Sequence, residues 1–224
     1  MIKGVIFDMD GTMFDTEPLS AQAWIRSGEK HGYPITIEMV TTFCGKTITA
    51  IEQMLRDIFG EDIEAEKISQ GRQEFYRQII TEDVIPHKEG LLELLEFLKR
   101  EGIPAAVSTS TDKATAEIVI RRAGVYDYFT EFVFGDMVER SKPAPDIFLK
   151  AAEAIGRNPE ECLVVEDSPA GVLAGKAMGG HTILIPDVAV VTEEVKKGIS
   201  AEMNNLHEVI DWIRKENAVC MKQK

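Results

Sequence analysis

From residue 88 to residue 215 the chain alternates between short apolar runs and helical stretches, and this alternation restricts the fold more than any other property of the sequence. The runs at 104–108, 131–134, 162–166 and 182–185 read as strands, and helical periodicity fills 88–101, 112–123, 144–156, 169–178 and 204–215. Such alternation means parallel strands with covering helices. The apolar run Val5-Ile6-Phe7 adds a first strand near the N-terminus. The expected fold class is α/β, a Rossmann-like doubly wound parallel sheet.

Between that first strand and the rest stand about seventy residues with a helical pattern and little that reads as strand. Helices are expected near 17–31, 37–43, 47–59 and 63–80, punctuated by Pro18 in a first turn and by Gly32 and Gly60 at helix ends. The expected division is an α/β core of residues 1–14 and 86–224 with an inserted α-helical cap of residues 15–85. Ile51, Leu55, Ile58 and Phe59 have the spacing of cap core, and Trp24 reads as packing. The residues from Ala218 to Lys224 read as a loose tail.

With 224 residues, 44% of them hydrophobic, the chain can bury a substantial core. Its net charge of −13 argues against nucleic acid or an acidic membrane as partner, since both call for a positive surface. No run approaches the roughly 18 apolar residues that span a bilayer, and the N-terminus enters the first strand with no room for an apolar signal core. A cytoplasmic monomer is the expectation. Cys44, Cys162 and Cys220 are scattered without Cys-x-x-Cys spacing, and His31, His87, His181 and His207 lack metal-ligand spacing, so neither disulfides nor a structural zinc site is expected.

Chemistry concentrates at strand ends. Val5-Ile6-Phe7 runs into Asp8-Met9-Asp10-Gly11-Thr12, and side chains at i and i+2 of extended chain point the same way, about 6–7 Å apart. Gly11 allows a turn and a close approach of backbone to ligand, and Thr12 offers a hydroxyl and an N–H to an anion. A calcium loop would need further oxygen ligands and a Glu at its twelfth position, which the surrounding apolar residues do not suit. Downstream, Ser108 ends Ile103-Pro104-Ala105-Ala106-Val107, Lys142-Pro143 precedes a helix, and Glu166-Asp167 ends Leu163-Val164-Val165. Ligands of open α/β sheets bind beyond the carboxyl ends of strands, so the loops at Asp8, Ser108 and Glu166 would converge. Each element has a plainer reading: Ser108 as a helix cap, Lys142 as a solvated loop entry, Asp167 and Ser168 as helix initiators. Gly171-Val-Leu-Ala-Gly175-Lys176 is one residue short of a nucleotide-binding loop and reads as close helix packing.

Taken in order, Asp8-x-Asp10-Gly11-Thr12, Ser108, Lys142-Pro143-x-Pro145-Asp146 and Glu166-Asp167 resemble the haloacid dehalogenase superfamily, in its branch with a helical cap inserted after the first motif. The resemblance covers essentially the whole chain. It implies that Asp8 is a nucleophile taking a phosphoryl group and that Asp10 is general acid and base. It implies Mg²⁺ on the side chains of Asp8 and Asp167 and the backbone carbonyl of Asp10, with Glu166 direct or one step removed. Ser108, Thr109 and Thr12 would hold phosphate oxygens, and Lys142 would neutralise charge on Asp8 and the phosphoryl group.

Selectivity for a small phosphorylated metabolite is expected to come from the cap acting as a lid, with Thr16, Lys46 and Thr47, the last two within Gly45-Lys46-Thr47, as candidate contacts. Lys46 could equally be a solvated surface lysine. Two activities share the framework: a phosphatase, and a mutase resembling β-phosphoglucomutase. Ile48, Ser20 and Thr111 stand where the mutases carry Arg, His and Lys, whereas Asp15-Thr16-Glu17-Pro18-Leu19, Gly45-Lys46 and Ile185-Pro186-Asp187 resemble sugar-phosphate phosphatases. Phosphatase is therefore the preferred expectation. A non-enzymatic binding protein would be expected to have lost Asp8, Asp10, Lys142 or Asp167, and all four are present.

Overall fold

The computed structural model describes residues 1–43 and 46–222; Cys44, the Gly45 of the expected cap contact, and the last two residues lie outside the described residues. Contacts divide the chain into two compact units, Met1–Asp15 with Pro86–Lys224, and Thr16–Ile85.

The first unit opens with β1 (Gly4–Phe7). The chain then runs through the second unit, α1 (Glu17–Lys30), α2 (Ile37–Phe43), α3 (Ile48–Phe59) and α4 (Ala65–Glu82). It returns as α5 (Leu91–Glu101), β2 (Ala105–Ser108), α6 (Lys113–Arg122), β3 (Glu131–Val133), α7 (Asp146–Ala154), β4 (Cys162–Glu166), α8 (Pro169–Met178), β5 (His181–Leu184), α9 (Glu193–Lys196), β6 (Ala201–Glu202) and α10 (Leu206–Lys222). The strands form one sheet in the order β3-β2-β1-β4-β5-β6, and every pairing is parallel. This is the expected α/β class. The strand order reverses at β1, which pairs with β2 on one side and β4 on the other, and the ends of β1 and β4 flank that switch point.

Strands β1, β2 and β4 are buried along their whole length, which is why they read as unbroken apolar runs. Ile6, Ala106 and Val164 pack with Ile147, Phe148 and Ala174 in one cluster joining the sheet to α7 and α8. In the helical unit, Trp24, Val40, Phe43, Ile51, Leu55 and Ile68 form a separate core. Helices α1 and α4 approach closely at Gly71, where a Cβ would lie 2.5 Å from Ser27 Oγ, and Ser27 donates to the Ile68 carbonyl at 2.7 Å.

Two expectations change, and two short elements are added. Ile58 is exposed rather than cap core, because the buried stripe of α3 runs Ile51, Leu55 and partly Phe59 at four-residue spacing and leaves Ile58 off it. The short α9 and β6 carry too few residues for periodicity to register. The expected tail is helix as far as Lys222. Asn217 explains the extension: its Oδ1 accepts from the Ile2 N–H at 2.7 Å and its Nδ2 donates to the Ile2 carbonyl at 3.2 Å, so the last helix holds the entry into β1. Among the described residues no helix is long and apolar enough to cross a membrane.

Asn217→Ala leaves two backbone groups of the buried Ile2 without this partner, and it should lower stability by about 1–2 kcal/mol in urea unfolding followed by circular dichroism. A change indistinguishable from zero would show that the bracket does not hold the N-terminus.

Candidate active site

Asp8 sits one residue beyond β1, where its N–H still donates to the Val165 carbonyl of β4 at 3.0 Å, so the ladder itself fixes the start of the loop. The chain then turns tightly: Met13 and Phe14 N–H groups both reach back to the Met9 carbonyl, and Gly11, at φ +84°, donates to Phe14. That left-handed backbone is one that only glycine adopts without strain. A Cβ at Gly11 would also lie 2.4 Å from Asp167 Oδ2, so the loop after β1 and the loop after β4 touch where the side chain is missing.

Asp8, Glu166 and Asp167 each bring a carboxylate oxygen within 4.8 Å of the others, and all three are buried. Lys142, from the loop before α7, inserts its ammonium among them, 2.5 Å from Asp8 Oδ1 and 2.7 Å from Glu166 Oε1, above the Phe148 ring. Glu166 Oε2 accepts from the N–H groups of Asp167 and Ser168, both at 2.8 Å, and from the Ser168 hydroxyl at 3.0 Å. Glu166 is therefore tied to Lys142 on one side and to its own loop on the other. Gly171 makes this possible, because a Cβ there would fall 1.6 Å from Glu166 Oε1; its neighbour Gly175 does serve helix packing, facing Thr182. Thr12 Oγ1 donates to Asp167 Oδ1 at 3.0 Å, and Thr111 Oγ1 donates to Asp10 Oδ2 at 2.8 Å.

Burial pushes the Asp8 carboxyl up to about 8 against the pull of Lys142 and with the push of Glu166. Burial, then Asp8 and Glu166, push Asp167 up to about 9. Burial disfavours charge on Lys142, but Asp8 and Glu166 together hold its ammonium above the ordinary lysine range. Ionised together, the three facing carboxylates would outnumber the one ammonium, which is why burial and mutual repulsion keep protons on Asp8 and Asp167. The donor set, all oxygen and two carboxylates beyond what Lys142 neutralises, fits a hard divalent cation.

A family model described as haloacid dehalogenase-like hydrolase matches residues 2–179. The chain belongs to that family. Among curated relatives of this haloacid dehalogenase-like hydrolase, hexitol phosphatase A of Escherichia coli is 37% identical over 82% of this chain and 82% of its own length. Fructose-1-phosphate phosphatase of the same organism is 33% identical over 79% of this chain and 92% of its own. The crystal structure of a candidate β-phosphoglucomutase from Thermotoga maritima superposes with a TM-score of 0.81 at 30% identity, covering 96% of this chain and 99% of the other. The hydrolase is an enzyme of the β-phosphoglucomutase-like, sugar-phosphate phosphatase branch.

The expected phosphate ligands are placed as follows. Ser108 is fully buried, its hydroxyl donating to the Ile147 carbonyl at 3.1 Å and its own carbonyl accepting from Lys142 at 3.3 Å. The Thr109 N–H donates to Val133 at 3.1 Å, and the Thr109 hydroxyl accepts from the Thr111 N–H at 3.0 Å. In the helical unit Thr16 is the buried N-cap of α1, and Thr47 caps α3 by accepting from the Ala50 N–H at 3.2 Å. Lys46 is exposed and lines a cavity of about 170 Å³ with Glu17, Ser20, Trp24, Ile48 and Arg72.

Arg72 escapes the sequence reading. It donates to Ser20 Oγ at 2.6 Å and lies over the rings of Tyr76 at 4.9 Å and Trp24 at 5.8 Å. A signal was there: Ile68, Arg72, Tyr76 and Ile79 share one helical stripe, and a guanidinium on the buried stripe of an amphipathic helix calls for a reason. In the sequence Asp187 stands out only within Ile185-Pro186-Asp187, and Thr111 only as a departure from the mutases and a possible cap of the helix at 112–123.

In metal-free buffer Asp8 and Asp167, with folded values of about 8 and about 9 against 3.8 for the free carboxyl, contribute stability that is complete below pH 3.8 and lost as pH rises toward 9. The melting temperature should therefore fall across that window. A divalent cation competes with the same protons, so the increment from added Mg²⁺ should be larger near about pH 8 than near about pH 6. Equal increments at both pH values in scanning calorimetry would contradict this account of the cluster.

Proposed function

We propose that this hydrolase is a Mg²⁺-dependent phosphatase of a small phosphate monoester, a sugar or polyol phosphate, acting through a phosphoryl group carried on Asp8. The observation that carries the reading is the placement of Asp8 at the switch point of the sheet, bonded to Lys142 and facing Asp167, with Asp10 two residues on. Asp8, Asp167 and the Asp10 carbonyl would hold the metal, with Glu166 anchoring Lys142 and the loop. When bound, Mg²⁺ supplies positive charge to the transferring phosphoryl oxygens and to the carboxylates that would otherwise repel a phosphate dianion.

The chain's residues divide the reaction in two. An Asp8 carboxylate oxygen attacks phosphorus as the ester P–O bond breaks, and the departing alkoxide takes a proton from the Asp10 carboxyl. Water then attacks the phosphorus, giving its proton back to Asp10, and the bond to Asp8 breaks to release inorganic phosphate. Thr111, by donating to Asp10 Oδ2, fixes the orientation of that carboxyl for both transfers. Lys142 keeps the attacking carboxylate aimed and compensates charge as it builds.

The named activities of the hexitol and fructose-1-phosphate phosphatases support a carbohydrate or polyol phosphate as substrate. So does the chemistry of the helical unit's cavity, where Glu17, Ser20, Lys46 and Arg72 mix donors and acceptors as hydroxyl recognition requires. A phosphohexomutase reading has one observation in its favour, the Arg72 cation in that cavity, which could hold a second phosphate. Ile48 in the same lining and Ser20 at the mutases' histidine position favour the phosphatase. The partner we propose is a small phosphorylated metabolite met in the cytoplasm by a monomer, without nucleic acid or membrane.

A panel of sugar and polyol phosphates with Mg²⁺ should release phosphate steadily, and Asp8→Asn should reduce the rate by at least about 10³-fold. No turnover of any phosphoester would favour a binding protein. With β-glucose 1-phosphate and a trace of its bisphosphate, net glucose 6-phosphate without free phosphate would establish the mutase instead.

A further inference from the structure

One buried ion pair beside the acidic cluster has no part in the steps above. Lys88, on the segment where the chain returns to the α/β unit, extends its ammonium to Asp187 Oδ1 at 2.5 Å, with both side chains largely buried. The pair joins two loops already tied to the site. The Lys88 N–H donates to the Met13 carbonyl at 2.9 Å, and its neighbour His87 bridges Phe14, so Lys88 stands on the turn that carries Asp8 and Asp10. Asp187 follows β5, where the Ile185 N–H donates to the Glu166 carbonyl at 2.8 Å.

The second oxygen of Asp187 points inward. Oδ2 is buried, has no hydrogen-bond partner among the described residues, and lies 2.9 Å from the point a Cβ at Gly11 would occupy. Asp167 Oδ2 lies 2.4 Å from that same point. Both carboxylate oxygens thus close on Gly11, and the missing side chain is what lets them come so near each other. Asp187 is not itself within the 4.8 Å set of Asp8, Glu166 and Asp167, so it stands one step outside the candidate ligands. A buried carboxylate oxygen without a donor is costly, and one beside a cation site is satisfied by a water on the cation.

We propose that Asp187, fixed by Lys88, is a positioning residue of the metal site: it accepts a hydrogen bond from a water carried by the divalent cation on its Asp167 side. This rests on the proposed metal-assisted phosphoryl transfer and adds to it a residue outside the four motifs. Lys88 orients the carboxylate, Gly11 lets Asp187 and Asp167 approach each other, and the Met13 and Glu166 backbone bonds hold the two loops in register.

The test is calorimetric Mg²⁺ titration of the full chain for wild type, Asp187→Asn, Lys88→Met and Asp167→Asn, with metal-free melting curves as a control of fold. Positioning requires both Asp187→Asn and Lys88→Met to weaken Mg²⁺, each raising Kd about tenfold or more. The activation constant for Mg²⁺ should rise in parallel, while kcat at saturating Mg²⁺ recovers. A purely electrostatic role would move the two variants in opposite directions, since one removes a negative charge and the other a positive one, and that result overturns the proposal. Unchanged Kd in both, with or without altered melting, overturns it as well and leaves the pair a structural strap. Mg²⁺ uptake undiminished in Asp167→Asn would instead show that the metal site itself was misassigned.

Discussion

Three carboxylates held within 4.8 Å of one another behind a sheet are the constraint on which the rest of the α/β unit depends. At that separation and an effective dielectric near 20, each ionised pair repels by about 3 kcal/mol. Nothing about hydrophobic burial brings such groups together; the fold has to hold them against it. It does so with one ammonium, Lys142, bonded to two of the three, and with a set of short donors: Thr12 on Asp167, and Ser168 with two loop N–H groups on Glu166. The Asp167 and Ser168 N–H groups lie between the carboxyl end of β4 and the start of α8, where backbone donors are left over from the regular structure, while Thr12 comes from the turn after β1 and Lys142 from the loop before α7. The donor set that results, oxygen throughout and richer in carboxylates than in ammonium groups, fits a hard divalent cation.

The pair Glu166-Asp167 shows how strand geometry divides labour between adjacent residues. Successive side chains leave a strand on opposite faces. Glu166, the last residue of β4, turns inward to Lys142 and curls back on the N–H groups that follow it. Asp167, just beyond the strand, accepts from Thr12 and packs against Gly11, with its carboxylate still within 4.8 Å of those of Asp8 and Glu166. The longer side chain is needed for the first task, because reaching both a lysine and its own following backbone takes the extra methylene. Two acidic residues that look redundant in the sequence therefore make different contacts, Glu166 with Lys142 and its own loop and Asp167 with Thr12 and Gly11.

What could be read from the chain in advance follows from the same geometry. The order of strands and helices, the helical block after β1 and the residues Asp8, Ser108 and Glu166-Asp167 all carry short-range signals, an apolar run that stops at a polar residue or a helical period, whereas Lys142 stands out only through the family resemblance. The structure gathers Asp8, Lys142, Glu166 and Asp167 at one point. Less was legible where a residue's meaning depends on a partner far along the chain. Asn217 reads as an exposed polar residue until Ile2 is placed beside it, 215 positions away. Thr111 reads as a turn residue until Asp10 arrives, and Asp187 as a loop acid until Lys88 does. Arg72 is intermediate: its position on a buried stripe was visible, but Ser20 and the two aromatic rings that hold it were not.

The two glycines of the site carry the argument furthest, because each contributes by what it lacks. At Gly11 two requirements coincide: a backbone at φ +84° and the close approach of Asp167 and Asp187, which an added Cβ would meet at under 3 Å. Gly171 lies inside α8 with ordinary helical backbone, and a helix interior ordinarily disfavours glycine by about 1 kcal/mol relative to alanine. The only thing that glycine provides there is room for the Glu166 carboxylate, which an added Cβ would overlap at 1.6 Å. Since alanine would be the better helix former, the position is set by Glu166 rather than by α8. The helix accepts a weaker residue in its first turn so that the carboxylate can reach back to Lys142, which ties the packing of α8 to the charge arrangement at Asp8.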